Sequence, residues 1–347
     1  IKNNKETMKN TILFNPNGQD KAKQIFEGNS TGMCQLNNIA YPWASRLWDQ
    51  MRSQFWQHQK IDLTPDVVDY NNLTKSERNA YNKTLGFLVF LDSIQINNIP
   101  YLKSPITAPE VGLCLAEQTA QEALHSASYQ YIIETVIPKE DRDAMYELWR
   151  EDLILQERCK LIAGVYQNYI DDPSLDNYLK SLVSDYILEG IYFYAGFNYF
   201  YTLASRSLMP GTADIIKLIH RDELSHVRLY QELVIEAKQQ YPENPIWQQV
   251  QDMFSQAIAH EIDWNFSICK DDILGITARS TSDYVYYLAD LRLRAIGLTG
   301  IANVPKNPYA HLERFSDLSS GATTKTNFFE STVTSYQTSS TVENWDF

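Results

Sequence analysis

Apolar residues recur at helical spacing along most of the chain. The first clear run, residues 79–96, sets Ala80, Leu85, Leu88, Leu91 and Ile94 at that spacing, and Thr74 followed three residues later by Glu77 supplies a capping box ahead of it. Pro100 is expected to bound that helix. Further helical patterns cover about residues 108–136, stopping at Pro138, and 141–169, ending before Asp171, Asp172 and Pro173. Others cover about 174–205, closed by Pro210 and Gly211, then 213–240, 245–270, and 276–296, ending at Gly297. No stretch alternates with a period of two for long enough to claim a sheet. The predicted fold is all-α, with helices long enough to cross a bundle of four or more.

The two ends break this pattern. Residues 1–40, rich in Asn, Lys and Gly, read as an N-terminal arm; residues 41–310 form the helical domain. Residues 311–347 read as a flexible C-terminal tail, rich in Ser and Thr, that still carries Phe328, Phe329, Tyr336, Trp345 and Phe347. A merely solubilising tail has little use for aromatics, so these are predicted to dock on a partner. The chain opens on Ile1, and an upstream extension is expected to have been removed.

Composition narrows the function. At 347 residues, 44% hydrophobic and 21% charged, the chain is globular and wholesale disorder is excluded. Thirty Lys and Arg against 43 Asp and Glu give a net charge of −13, which repels phosphate backbones and argues against nucleic acid as a partner. Cys34, Cys114, Cys159 and Cys269 form no Cys-x-x-Cys pair, so neither a disulfide scaffold nor a thiolate zinc site is expected and a reducing cytoplasm fits. No apolar run is long enough to span a bilayer and no leader opens the chain, so no membrane partner is expected.

The chemistry lies in six residues. Glu122 and His125 form Glu-x-x-His on one predicted helix, and Glu223 and His226 repeat it on another. Three residues of α-helix turn the chain by about 300°, so each pair presents a carboxylate and an imidazole in nearly one direction. Asp92 and Glu189 lie inside the apolar stretches 86–96 and 186–200, where carboxylates are costly unless paired or bound to metal. Two carboxylate helices and two Glu-x-x-His helices match the inventory of di-iron and di-manganese carboxylate bundles. Oxygen-rich donors with two imidazoles suit Fe or Mn better than zinc or copper. The bland alternative is a set of buried ion pairs. His58, His220, His260 and His311 are read as ordinary surface or core histidines.

The segments Leu91-Asp-Ser-Ile-Gln95, Gln121-Glu-Ala-Leu-His-Ser-Ala-Ser-Tyr129, Leu188-Glu-Gly-Ile-Tyr-Phe-Tyr194 and Arg221-Asp-Glu-Leu-Ser-His226 resemble, in order and separation, the small (beta) subunit of class I ribonucleotide reductase. The resemblance covers roughly residues 40–340 and implies a ferritin-like helical bundle with additional helices. It implies that Asp92, Glu122 and His125 hold one metal ion and Glu189, Glu223 and His226 the other, with Glu122 and Glu223 bridging. Tyr129 matches the position of a stable tyrosyl radical in many members, shielded by Phe193, Phe197 and Ile219; some relatives keep the oxidant on the metals instead. Trp56 and Asp222 resemble the family's hole relay, Tyr336 its redox tyrosine in the tail, and residues 343–347 its docking peptide.

The implied function is a homodimeric small subunit whose oxygen-activated dinuclear centre, Fe and/or Mn, passes a one-electron oxidant to a catalytic large (alpha) subunit that reduces ribonucleotides. An activating flavoprotein is implied if manganese is used. The rivals are a related ligand-binding dinuclear metal oxidase, which needs no second subunit, a ferritin-like store that holds metal without catalysis, and a helical interaction protein without metal.

Overall fold

A computed structural model of the chain describes residues 7–19, 21, 24–270 and 273–316. Its long helices are α1 (Pro42–Ser53), α2 (Thr64–Asn72), α3 (Lys75–Lys103), α4 (Pro109–Val136), α5 (Lys139–Glu151) and α6 (Leu153–Asp171). They continue with α7 (Leu175–Ile187), α8 (Phe193–Ser205), α9 (Pro210–Gln240), α10 (Ile246–Cys269) and α11 (Ala278–Ala295). Among the described residues there is no strand beyond isolated bridges such as Phe26 with Ile106, so the all-α expectation holds.

Four rods make the bundle that matters: α3, α4, α9, and the continuous rod of α7 and α8 joined by a π-helical turn over Leu188–Tyr192. Helix α3 lies along α4, α7 and α8 pack on α9, and α1 packs on α4 and α9. The segment ahead of α1 is held to this body by buried Ile25 and Phe26, with Thr107 N–H donating to the Ile25 carbonyl at 2.8 Å.

Local chemistry explains where the helices start. The capping box at Thr74 and Glu77 is formed at both ends, Glu77 N–H to Thr74 Oγ1 at 3.2 Å and Thr74 N–H to Glu77 Oε2 at 2.9 Å. Helix α9 starts without a cap of its own; the buried Asp66 carboxylate of α2 accepts from the backbone N–H groups of Gly211 (2.8 Å) and Thr212 (2.6 Å).

Three boundaries differ from the periodicity. Helix α3 runs through Pro100 to Lys103, because Pro100 falls in its last turn, buried Ile99 and Leu102 hold that turn to the core, and Tyr178 Oη–H donates to the Leu102 carbonyl at 3.0 Å. The single helix expected over 141–169 is two, broken where Asp152 leaves helical geometry (ψ 110°) and caps α6 by accepting from Leu155 N–H at 3.0 Å. Helices α1 and α2 are the third difference, lying ahead of the first run that periodicity marks.

Candidate metal centre

The six acidic and imidazole side chains come from all four rods. Asp92 sits on α3, Glu122 and His125 on α4, Glu189 in the π turn, and Glu223 and His226 on α9. All six are fully buried, and they form two groups that share two members. Asp92, Glu122, His125 and Glu223 offer ligand atoms within 4.8 Å of one another, and so do Glu122, Glu189, Glu223 and His226.

Their electrostatics call for cations. Burial and the neighbouring Glu122 push Asp92 well above the usual carboxylate range, and burial with Glu223 and Glu122 does the same to Glu189. Burial would raise Glu223 too, but His226 and His125 hold it below the usual range. Both Asp92 oxygens have no hydrogen-bond partner, while the imidazoles stand directly against carboxylates, His125 Nδ1 3.1 Å from Glu223 Oε1 and His226 Nδ1 3.1 Å from Glu122 Oε1. Four buried carboxylates crowded with only two imidazoles between them, and an Asp92 left with no partner at all, are what two divalent ions would satisfy.

A second layer orients these groups. His125 Nε2 meets Asp222 Oδ2 at 3.2 Å and His226 Nε2 meets Gln121 Oε1 at 2.9 Å, so one imidazole is backed by a carboxylate and the other by an amide. Gln95 and Gln118 both donate to Glu189 Oε1, at 2.7 and 2.8 Å. Sequence reasoning missed these three glutamines, although Gln95 follows Asp92 by three residues and Gln118 precedes Glu122 by four, the spacing of shared helix faces.

Trp56 and Asp222, two of the residues expected in a relay, meet at the same place. Trp56 Nε1–H donates to Asp222 Oδ2 at 2.8 Å, and the indole stacks 6.3 Å from the His125 ring. Tyr129 is fully buried one turn beyond His125, near enough to Asp92, Glu223 and Glu122 that their charge adds to burial in raising its pKa. Phe193, Phe197 and Ile219 are fully buried as well. Tyr336, the other tail aromatics and residues 343–347 lie outside the described residues.

A helical bundle that gathers two such donor sets around shared glutamates defines a ferritin-like dinuclear metal carboxylate protein. The chain belongs to the family described as ribonucleotide reductase, small chain, which residues 33–308 match. It is 36% identical over 333 residues to the ribonucleoside-diphosphate reductase subunit beta of Treponema pallidum, spanning 94% of this chain and 95% of that relative. The solved R2 subunit of Clostridium botulinum superposes with a TM-score of 0.88 at 39% identity, over 90% of this chain and 100% of that one. The fold extends to the dimanganese(II)-NrdF of Streptococcus sanguinis, with a TM-score of 0.70 at 20% identity, over 81% of this chain and 97% of that one.

The protein is therefore the small subunit of a class I ribonucleotide reductase, which works with a large subunit and, like its class, binds a dinuclear metal centre. The family and fold expected from the motif segments are borne out. Among the described residues no helix is long and apolar enough to cross a membrane.

Proposed function

We propose that Asp92, Glu122 and His125 hold one metal ion and Glu189, Glu223 and His226 a second, with Glu122 and Glu223 bridging, and that the stored oxidant reaches the large subunit through Trp56, Asp222 and Tyr336. The observation that carries this reading is the pair of donor sets sharing Glu122 and Glu223. Those residues would hold two iron or manganese ions, which on oxidation by dioxygen or a reduced oxygen species would supply the one-electron oxidant.

The chain's own residues do the rest. Tyr129 keeps the hole as a tyrosyl radical, and Phe193, Phe197 and Ile219 exclude water from it. Trp56 loses its electron with an acceptor for its indole proton already in place at Asp222 Oδ2, which keeps the charge of the buried relay nearly constant. Residues 311–347 form the tail that carries Tyr336 and docks through residues 343–347, and residues 1–40 form an arm on the helical domain. Two copies pair as a homodimer. A flavoprotein supplies the reduced oxygen species if the metal is manganese. A reducing cytoplasm suits the four cysteines, none of which is in a disulfide.

Electron paramagnetic resonance on protein loaded with Fe, Mn or both and exposed to oxygen, with metal counted on the same samples, tests this reading. Two ions per chain and a narrow organic signal whose Tyr129 spectrum is lost in Tyr129→Phe are the expected result. A broad metal-coupled signal that survives the substitution moves the oxidant onto the metals, and only trace metal after loading sinks the reading.

A further inference from the structure

Tyr201 on α8 and His220 on α9 are buried partners outside both donor sets, with the Tyr201 hydroxyl 3.0 Å from His220 Nδ1. Counting partners assigns the direction of this bond. If Tyr201 donates, its proton has an acceptor, and only His220 Nε2–H is left without a hydrogen-bond partner. That imidazole is lined by the Tyr194 ring, 4.7 Å away at 83°, and the Phe197 ring, 5.1 Å away. If Nδ1–H donated instead, the phenolic proton and the Nε2 lone pair would both be stranded among buried apolar groups, a second desolvation penalty. The tautomer with Nδ1 free to accept is therefore the favoured one.

A buried phenol that donates to a neutral imidazole is equipped to be oxidised. We propose that Tyr201 and His220 form a second redox site, where a hole from the metal centre rests as a neutral tyrosyl radical while the proton sits on His220. This rests on the metal-centre reading above. Tyr201 gives up one electron, which lowers the oxidised dinuclear centre by one unit. Its Oη–H bond breaks as an Nδ1–H bond forms, and His220 becomes imidazolium. When an electron returns, the proton returns with it.

Three observations fit this role. Burial lowers the His220 pKa to about 3 against the opposing pull of Glu223, with Arg292 lowering it further, so the imidazole is neutral and open to a proton. A phenol that has lost an electron is far more acidic than any imidazolium, so even this weak base accepts, and its weak hold returns the proton readily. Tyr201 is also close enough to Tyr129 to add to the raised pKa of that residue, after burial and the three carboxylates. The Tyr129 hydroxyl, by contrast, has no hydrogen-bond partner among the described side chains.

The test compares metal-loaded, oxygen-exposed wild type, Tyr129→Phe, Tyr129→Phe/Tyr201→Phe and Tyr129→Phe/His220→Leu by high-field paramagnetic resonance, with metal counted in each. Ring-deuterated tyrosine identifies tyrosyl signals, and exchange into D₂O reads the hydrogen bond to the radical oxygen. Tyr129→Phe is expected to lose the Tyr129 spectrum and to show in its place a second tyrosyl signal with an exchangeable proton coupling. Tyr201→Phe should abolish that signal, and His220→Leu should remove the coupling or the signal itself. Oxidised metals in Tyr129→Phe with no tyrosyl signal, or a signal that survives Tyr201→Phe, would overturn the second site and leave the metal-centre reading standing. Wild-type protein that binds no metal or leaves it unoxidised would overturn both.

Discussion

Trp56 and His125 share one oxygen: Asp222 Oδ2 accepts the indole N–H at 2.8 Å and lies 3.2 Å from His125 Nε2. The carboxylate thus ties an aromatic ring on the loop after α1 to an imidazole of the first donor set. Removing the indole N–H leaves that imidazole contact in place. Trp56→Phe is therefore expected to bind metal and oxidise it as the wild type does, while turnover with the large subunit drops to background. Wild-type turnover in that variant would remove Trp56 from the relay.

The unequal backing of the two imidazoles gives a second expectation. Asp222 offers His125 a carboxylate oxygen at 3.2 Å, whereas Gln121 offers His226 an amide oxygen at 2.9 Å. Loss of such a partner typically costs about 10–100-fold in metal affinity. Asp222→Asn should weaken the set containing Asp92, and Gln121→Leu the set containing Glu189, each leaving the other set largely filled. Calorimetric metal titration resolves the two steps, and equal weakening of both sets by either variant would contradict the pairing.

Gly190 fixes the geometry of the π turn next to Glu189. A Cβ there would lie 2.9 Å from Arg292 Nε and 3.1 Å from its Cδ, and the Arg292 side chain is buried, so it cannot swing into solvent. The Gly190 carbonyl also accepts from Arg292 Nε–H at 3.3 Å. Gly190→Ala should cost about 1–3 kcal/mol through overpacking and shift the turn that aims Glu189. A lowered melting temperature together with loss of one metal per chain is the expected outcome; a variant with wild-type melting and metal content would show that the turn adapts.

What the sequence made legible follows from the same physics. Asp92 and Glu189 stand out because a carboxylate within an apolar helical run is costly, and the two Glu-x-x-His pairs because three residues nearly complete a turn. The π turn was not legible: one widened turn in the rod of α7 and α8 shifts the apolar pattern too little to register as a break. Gln95, Gln118 and Gln121 carry no charge to betray them, and their role depends on which rod each faces. Pro100 misled because a proline in a last turn forfeits little that the core and Tyr178 do not restore. The Tyr201–His220 pair joins side chains nineteen residues apart on different helices, a separation that helical spacing does not mark.

Asp185, fully buried one turn before Glu189, supplies a pH-dependent prediction. Burial raises its pKa from 3.8 to about 7, even though polar interactions with Tyr166, Tyr230 and Gln95 pull it back, and Asn98 Nδ2 donates to it at 3.3 Å. Between those two values the native state keeps a proton that the unfolded chain has lost. The native state is therefore favoured at low pH, and this contribution falls away as pH rises from about 4 to about 7, by at most about 1.4 kcal/mol per pH unit. Asn in its place matches its size and cannot ionise, so the stability of Asp185→Asn relative to wild type should climb across that window and level off above it. Urea unfolding of both proteins in parallel at several pH values reads the difference, from which groups common to both cancel. A difference that stays flat from pH 4 to pH 7 would mean that Asp185 ionises in the native protein as it does in the unfolded chain.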